Sequence, residues 1–126
     1  MAILDDMVTH LQFLGYEVER DGDLVKAKHR TRVNILLRDF RGGVLLTSIF
    51  GCKDDAKTHS LAYLDLINRL NQQATVLRFY ADKDSDFFME AWHPGTYDRE
   101  LFGSFLNLWD EDIARLARSD AEKFLE

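Results

Sequence analysis

The stretch LINRLNQQATVLRFYAD, residues 66–82, changes its hydrophobic period within a few residues. Up to Leu70 the apolar side chains recur at the spacing of an amphipathic helix, and from Thr75 they alternate as in a strand. Only Asn71-Gln72-Gln73-Ala74 lies between the two patterns. Asparagine tolerates the left-handed geometry that ends a helix, and its amide can bond the carbonyls freed there. The stretch therefore predicts a hinge between a helix and a hairpin, in an α+β protein whose helix packs on the strands that follow it.

The segments on either side extend this pattern. Ile3, Leu4, Met7, Val8, Leu11 and Leu14 fall on one helical stripe, with Gly15 where a C-terminal cap belongs. DLVKAKH, RVNILLRDF and VLLTSIF are short, apolar and separated by turn residues, as in an antiparallel meander. Tyr16–Arg20 alternates and could add a further short strand. A helix is expected from about Asp55 to about Asn71, with Leu61, Leu64, Ile67 and Leu70 as its buried side. TVLRFYAD and DFFMEAW form a second hairpin, closed by Pro94-Gly95. Leu101, Phe102, Phe105, Leu106, Trp109, Ile113, Leu116 and Ala117 mark a long helix, capped by Thr96 or Asp98 and running to about Leu125. The order α-β-β-β-α-β-β-α predicts an α+β fold on an antiparallel sheet of about five strands, as one domain over residues 1–126.

Charge narrows the partners. Lysine plus arginine number 16 against 22 aspartates and glutamates, a net charge of −6. Without a Lys/Arg run, the chain lacks the cationic footprint of a nucleic-acid or anionic-membrane binder. Cys52 is the only cysteine, so no intrachain disulfide is possible. The acidic start and the lack of an apolar run of about 18 residues predict a soluble cytoplasmic protein.

No motif predicts catalysis, a cofactor or a metal. Asp82-x-Asp84-x-Asp86 resembles the start of a calcium loop, but Phe87 and His93 stand where its glycine and bidentate glutamate belong. His10, His29, His59 and His93 fall on separate segments and are expected as isolated surface side chains. Gly42-Gly43 suits a primed hairpin turn rather than a phosphate loop. Asp5-Asp6 and Asp54-Asp55 sit near helix starts, where the dipole favours them, and Asp110-Glu111-Asp112 is expected in solvent.

The hairpin face is more informative. A three-residue loop, Asp84-Ser85-Asp86, would set Tyr80 opposite Glu90 and Arg78 opposite Trp92. Arg78, Tyr80, Phe88 and Trp92 then share one face, with Arg78 stacked on Trp92. That face is either solvated, covered by the C-terminal helix, or a recognition surface. In the first meander Val33, Ile35 and Leu37 line one side, and Leu36 and Phe40 the other. Apolar side chains on both faces predict a contact surface and a homodimer.

Ile67-Asn68-Arg69-Leu70-Asn71, Arg78–Asp84 and Tyr97-Asp98-Arg99-Glu100-Leu101-Phe102, in this order of elements, resemble the YbjN-domain family. That family looks in fold like the class I type III secretion chaperones. The resemblance covers nearly the whole chain in fold and about residues 64–106 in motif. It implies a non-enzymatic bacterial domain that binds another protein, often as a homodimer, with no catalytic residues to carry over. The alternative expectation is a small-ligand sensor or enzyme with a pocket between the sheet and the long helix.

Overall fold

The computed structural model describes residues 2–126. Its elements are α1 (Ala2–Phe13), β1 (Glu17–Asp21), β2 (Leu24–Lys28), β3 (Ile35–Phe40), β4 (Gly43–Phe50), α2 (Asp54–Thr58), α3 (Ser60–Gln73), β5 (Arg78–Ala81), β6 (Phe87–Pro94), α4 (Arg99–Ala117) and a 3₁₀ turn at Ala121–Lys123. The architecture is α+β, on a sheet of order β1-β2-β3-β4-β6-β5. It has six strands rather than five, because the short alternating segment after α1 is a strand. Charge-paired registers such as Glu17↔Lys28 and Glu19↔Lys26 hold that segment, β1, on β2.

The chain divides into two compact units. The first comprises the chain through Ser48 together with Ala91–Ser104. Here the predicted stripe of α1 is buried, from Ile3 to Leu11, and so are Val25, Ile35, Leu37, Val44 and Leu46 on the strands. Gly15 has φ of 97°, which lets the chain reverse after α1 so that the Tyr16 amide bonds the Leu11 carbonyl. The β3–β4 turn is primed, but its two loop residues are Arg41 (φ 50°) and Gly42 (φ 78°). Gly43 instead opens β4, opposite Phe40. Asp98 caps α4, its Oδ1 accepting the Leu101 amide at 2.9 Å.

The second unit comprises Ile49–Glu90 and Phe105–Glu126. The helix expected over residues 55–71 is two helices, broken at His59 (φ −120°, ψ 53°). The predicted buried stripe is also rotated. Tyr63, Leu66, Ile67 and Leu70 are buried, while Leu61 and Leu64 are 84% and 53% exposed. A strict spacing of three drifts round a helix of 3.6 residues per turn, so Leu61 and Leu70 lie on opposite sides. The last helix stops at Ala117, short of Leu125, because the tail takes other partners. The Ser119 hydroxyl donates to the Leu116 carbonyl, and Cys52 and Leu125 form an isolated bridge. The Lys53 amide reaches the Phe124 carbonyl at 2.7 Å. Tyr63 is buried and donates to the Ser85 carbonyl at 2.7 Å. Burial, and then the neighbouring Cys52, Asp86 and Asp82, push its phenol up to about 12.

Asp112, expected in solvent, is buried. Its carboxylate accepts the backbone N–H of Thr75, Val76 and Leu77 at 2.9–3.1 Å, and Nη1 of Arg115 at 2.8 Å. It therefore anchors the connection from α3 into β5. Asn71 does not bond helix carbonyls either. Its amide brackets the backbone of Phe79, donating to the carbonyl at 2.9 Å and accepting the N–H at 2.8 Å. Asp112→Ala strands three amides and one guanidinium in or near the interior. The expected cost is about 3–5 kcal/mol, read as a lower urea midpoint. A loss below about 1 kcal/mol would show that water replaces the carboxylate.

Candidate functional site

The β5–β6 register differs from expectation by two residues. The pairs are Arg78↔Glu90, Phe79↔Met89, Tyr80↔Phe88 and Ala81↔Phe87. The loop is thus Asp82–Asp86 rather than Asp84–Asp86. Asp82 organises it, its Oδ1 accepting the amides of Asp84 (2.9 Å) and Asp86 (3.0 Å), with Ser85 at φ of 67°. A shift of two keeps the face of every side chain, since the strand period is two. It replaces the expected Arg78–Trp92 stack with an ion pair: Nε and Nη2 of Arg78 both reach Oε1 of Glu90, at 3.1 and 2.6 Å. Arg78 is largely exposed while Glu90 is buried. Tyr80 stacks on Phe88, with centroids 5.0 Å apart and planes at 11°. Tyr80 is still 37% exposed.

A second cluster lies in the first unit. Trp92 on β6 is 46% exposed, and its indole N–H donates to the Phe40 carbonyl at 2.8 Å. The guanidinium carbons of Arg38 and Arg41 lie 4.9 and 5.0 Å from the centre of the Phe40 ring. Neither arginine has an ion pair among the described residues. Leu36, half-exposed, is on the same side of β3 as Arg38 and Phe40, opposite the buried Ile35 and Leu37. Gly43 makes room for the indole. A β-carbon there would lie 2.6 Å from the Trp92 ring and overlap the His93 carbonyl. The six sequence-predicted residues thus form two aromatic–arginine groups: Leu36, Phe40 and Trp92 in one unit, Arg78, Tyr80 and Phe88 in the other. Sequence reasoning missed Arg38 and Arg41. Their signal was the period-two spacing of Arg38 with Phe40 and the turn position of Arg41.

Three of the four histidines are not isolated surface groups, while His59 is exposed as expected. His93 is buried, its Nδ1 2.8 Å from the Pro94 carbonyl and its ring edge-on to Phe102. His29 Nδ1 accepts the amides of Thr31 and Arg32 at 3.1 and 3.2 Å, and Nε2 reaches the Leu14 carbonyl at 3.3 Å. His10 shares a 2.8 Å hydrogen bond with the Tyr97 hydroxyl. Both line a groove of about 350 Å³ with Thr9, Phe13, Leu14 and Arg99. Burial, and then the positive charge of Arg99, hold the His10 imidazole below its ordinary 6.5. Among the described residues no group of three or more His, Cys, Asp or Glu could hold a metal ion. No helix among them is long and apolar enough to cross a membrane.

These observations define an α+β domain with an antiparallel sheet and exposed aromatic and arginine side chains on its strands. The model of the YbjN family, described as "Putative bacterial sensory transduction regulator", matches residues 3–121. The chain belongs to the YbjN family. It is also similar to a solved structure, described as "Crystal structure of YbjN, a putative transcription regulator from E. coli". The TM-score is 0.75 at 14% identity, over 98% of this chain and 95% of that one, and the likeness shows the fold. No curated protein matches.

Two outcomes check the site. Gly43→Ala should cost about 1–3 kcal/mol and shift the tryptophan emission as the Trp92 indole is displaced; unchanged stability and emission would refute the close packing. A depressed His10 means that the unfolded chain takes up its proton first as pH falls below 6.5. Stability from neutral His10 is therefore present above that value and lost as pH falls through the folded value. His10→Asn should flatten the drop in melting temperature between about pH 7 and pH 5. An identical profile in the variant would remove His10 from the account.

Proposed function

We propose that this chain is a non-enzymatic regulatory domain that works by binding protein, and that it self-associates as a homodimer. The observation that carries the reading is the exposed Trp92, hydrogen-bonded to the carbonyl of Phe40, whose ring has two guanidiniums about 5 Å from its centre, neither with an ion pair among the described residues. Trp, Tyr and Arg dominate the energetics of protein interfaces, and rigid aromatics lose little entropy on contact. The Tyr80–Phe88 stack supplies a second group of the same kind. The family description supports regulation as the role. A cytoplasmic setting belongs to the same proposal, since a lone Cys52 offers no intrachain disulfide to an oxidising compartment. A small-ligand sensor is the second reading, favoured by the groove between His10, Tyr97 and Arg99.

Light scattering at micromolar concentration should give the mass of two chains. Trp92→Ala should keep the wild-type circular dichroism and lower the dimer affinity by about 2 kcal/mol or more, roughly thirtyfold. A wild-type chain that scatters as one chain would end the dimer reading. A variant that unfolds would instead make Trp92 a core residue.

A further inference from the structure

A different surface carries chemistry that the protein-binding reading does not use. In the second unit, α3 and the end of α4 line a groove of about 470 Å³, a size that suits a small organic ligand. Its apolar lining comes from Leu66 and Leu70, and its polar lining from Arg69, Gln73, Arg115 and Arg118. Three guanidiniums surround one concavity of a chain whose net charge is −6, two of them paired with a carboxylate, of Asp65 and of Asp112.

The donor count shows which of them are available. Arg69 is paired with exposed Asp65 at 3.2 Å, a contact easily exchanged in water. Arg115 gives only Nη1 to Asp112, and that carboxylate already accepts the amides of Thr75, Val76 and Leu77. The other N–H groups of Arg115 have no partner among the described residues. Arg118 has no side-chain partner among them at all. The dipole of α4 favours cations at its C-terminal end. That accounts for their tolerance there, and leaves unexplained why they flank a concavity lined with leucine.

We propose that this groove binds a small organic oxyanion. Its oxygens take the free N–H groups of Arg115 and Arg118, and its apolar remainder lies against Leu66 and Leu70. Phosphate monoesters and carboxylates share that chemistry, since the planar guanidinium fork matches both.

The test uses the full chain and three probes: phenyl phosphate, benzoate and inorganic phosphate. Each is titrated at constant ionic strength and followed by ¹H–¹⁵N spectra that include the arginine Nε–H signals. The expected result is saturable shifts at Arg115, Arg118 and Gln73 with an organic probe, and weaker binding of inorganic phosphate. Preference for phenyl phosphate or for benzoate identifies which oxyanion the groove takes. Arg118→Gln should weaken binding at least about tenfold with an unchanged melting temperature. Arg38→Gln, with the same loss of charge on β3, should leave binding unaltered. The proposal falls if no probe gives a saturable shift up to about 10 mM. It also falls if inorganic phosphate binds as well as the organic probes, or if Arg38→Gln weakens binding as much as Arg118→Gln. Since dimerisation is read separately by light scattering, either proposal can fail alone.

Discussion

A buried carboxylate determines how the second unit is built. Three consecutive amides, of Thr75, Val76 and Leu77, precede β5 and face no strand. Left unpaired, the buried Leu77 amide would cost about 1–3 kcal/mol, and the part-buried amides of Thr75 and Val76 less. Asp112 satisfies all three from α4, and Arg115 offsets its charge. A few residues on, the Asn71 amide brackets Phe79 from α3. The strand is thus held by both helices as well as by its pairing with β6. The face it presents follows, with Phe79 inward and Arg78 and Tyr80 outward. The candidate surface of this unit depends on two polar side chains that never reach it.

In the first unit a missing side chain does comparable work. Gly43 pairs with Phe40 and leaves the space that the Trp92 indole fills. The primed turn at Arg41-Gly42 brings Arg41 back over the Phe40 ring. Backbone geometry at three successive residues therefore assembles the Trp92–Phe40–arginine group. The aromatic side chains are held by a hydrogen bond and by ring contacts rather than by burial, which is how a large apolar group stays both ordered and exposed.

Much of this was legible in the sequence, and the errors have physical causes. The period switch at residues 70–75 correctly separated helix from hairpin, and alternation placed Arg78, Tyr80, Phe88 and Trp92 on one face. Alternation fixes parity and not register, so a slip of two leaves the pattern unchanged, and the Asp82 loop sets the register. The run Leu61, Leu64, Ile67, Leu70 reads as a stripe only if the helical repeat is rounded down to three. Asp112 was unreadable because its partners are backbone amides nearly forty positions away in the chain. An acidic triplet looks the same whether one member is buried or none is. The arginine groove was hidden for the same reason, since Arg69 and Arg115 are distant in sequence and each has a local ion pair.

The two ends of the sheet bear on how copies of this chain could meet. An edge strand offers unpaired N–H and C=O groups to any second chain. On β5 the backbone of Phe79 is already bonded both ways by Asn71. On β1 the sequence is EVERD. Antiparallel pairing of two copies centred on Glu19 would set Glu19 against Glu19 and Glu17 against Asp21, and like charges directly opposite destabilise a sheet. One edge is occupied and the other repels its own kind. Self-association through strand addition is disfavoured at both ends, so the proposed dimer would use exposed apolar side chains away from the edges, among them Trp92 and Tyr80 on the strands and Phe13, Leu61 and Leu101 on the helices.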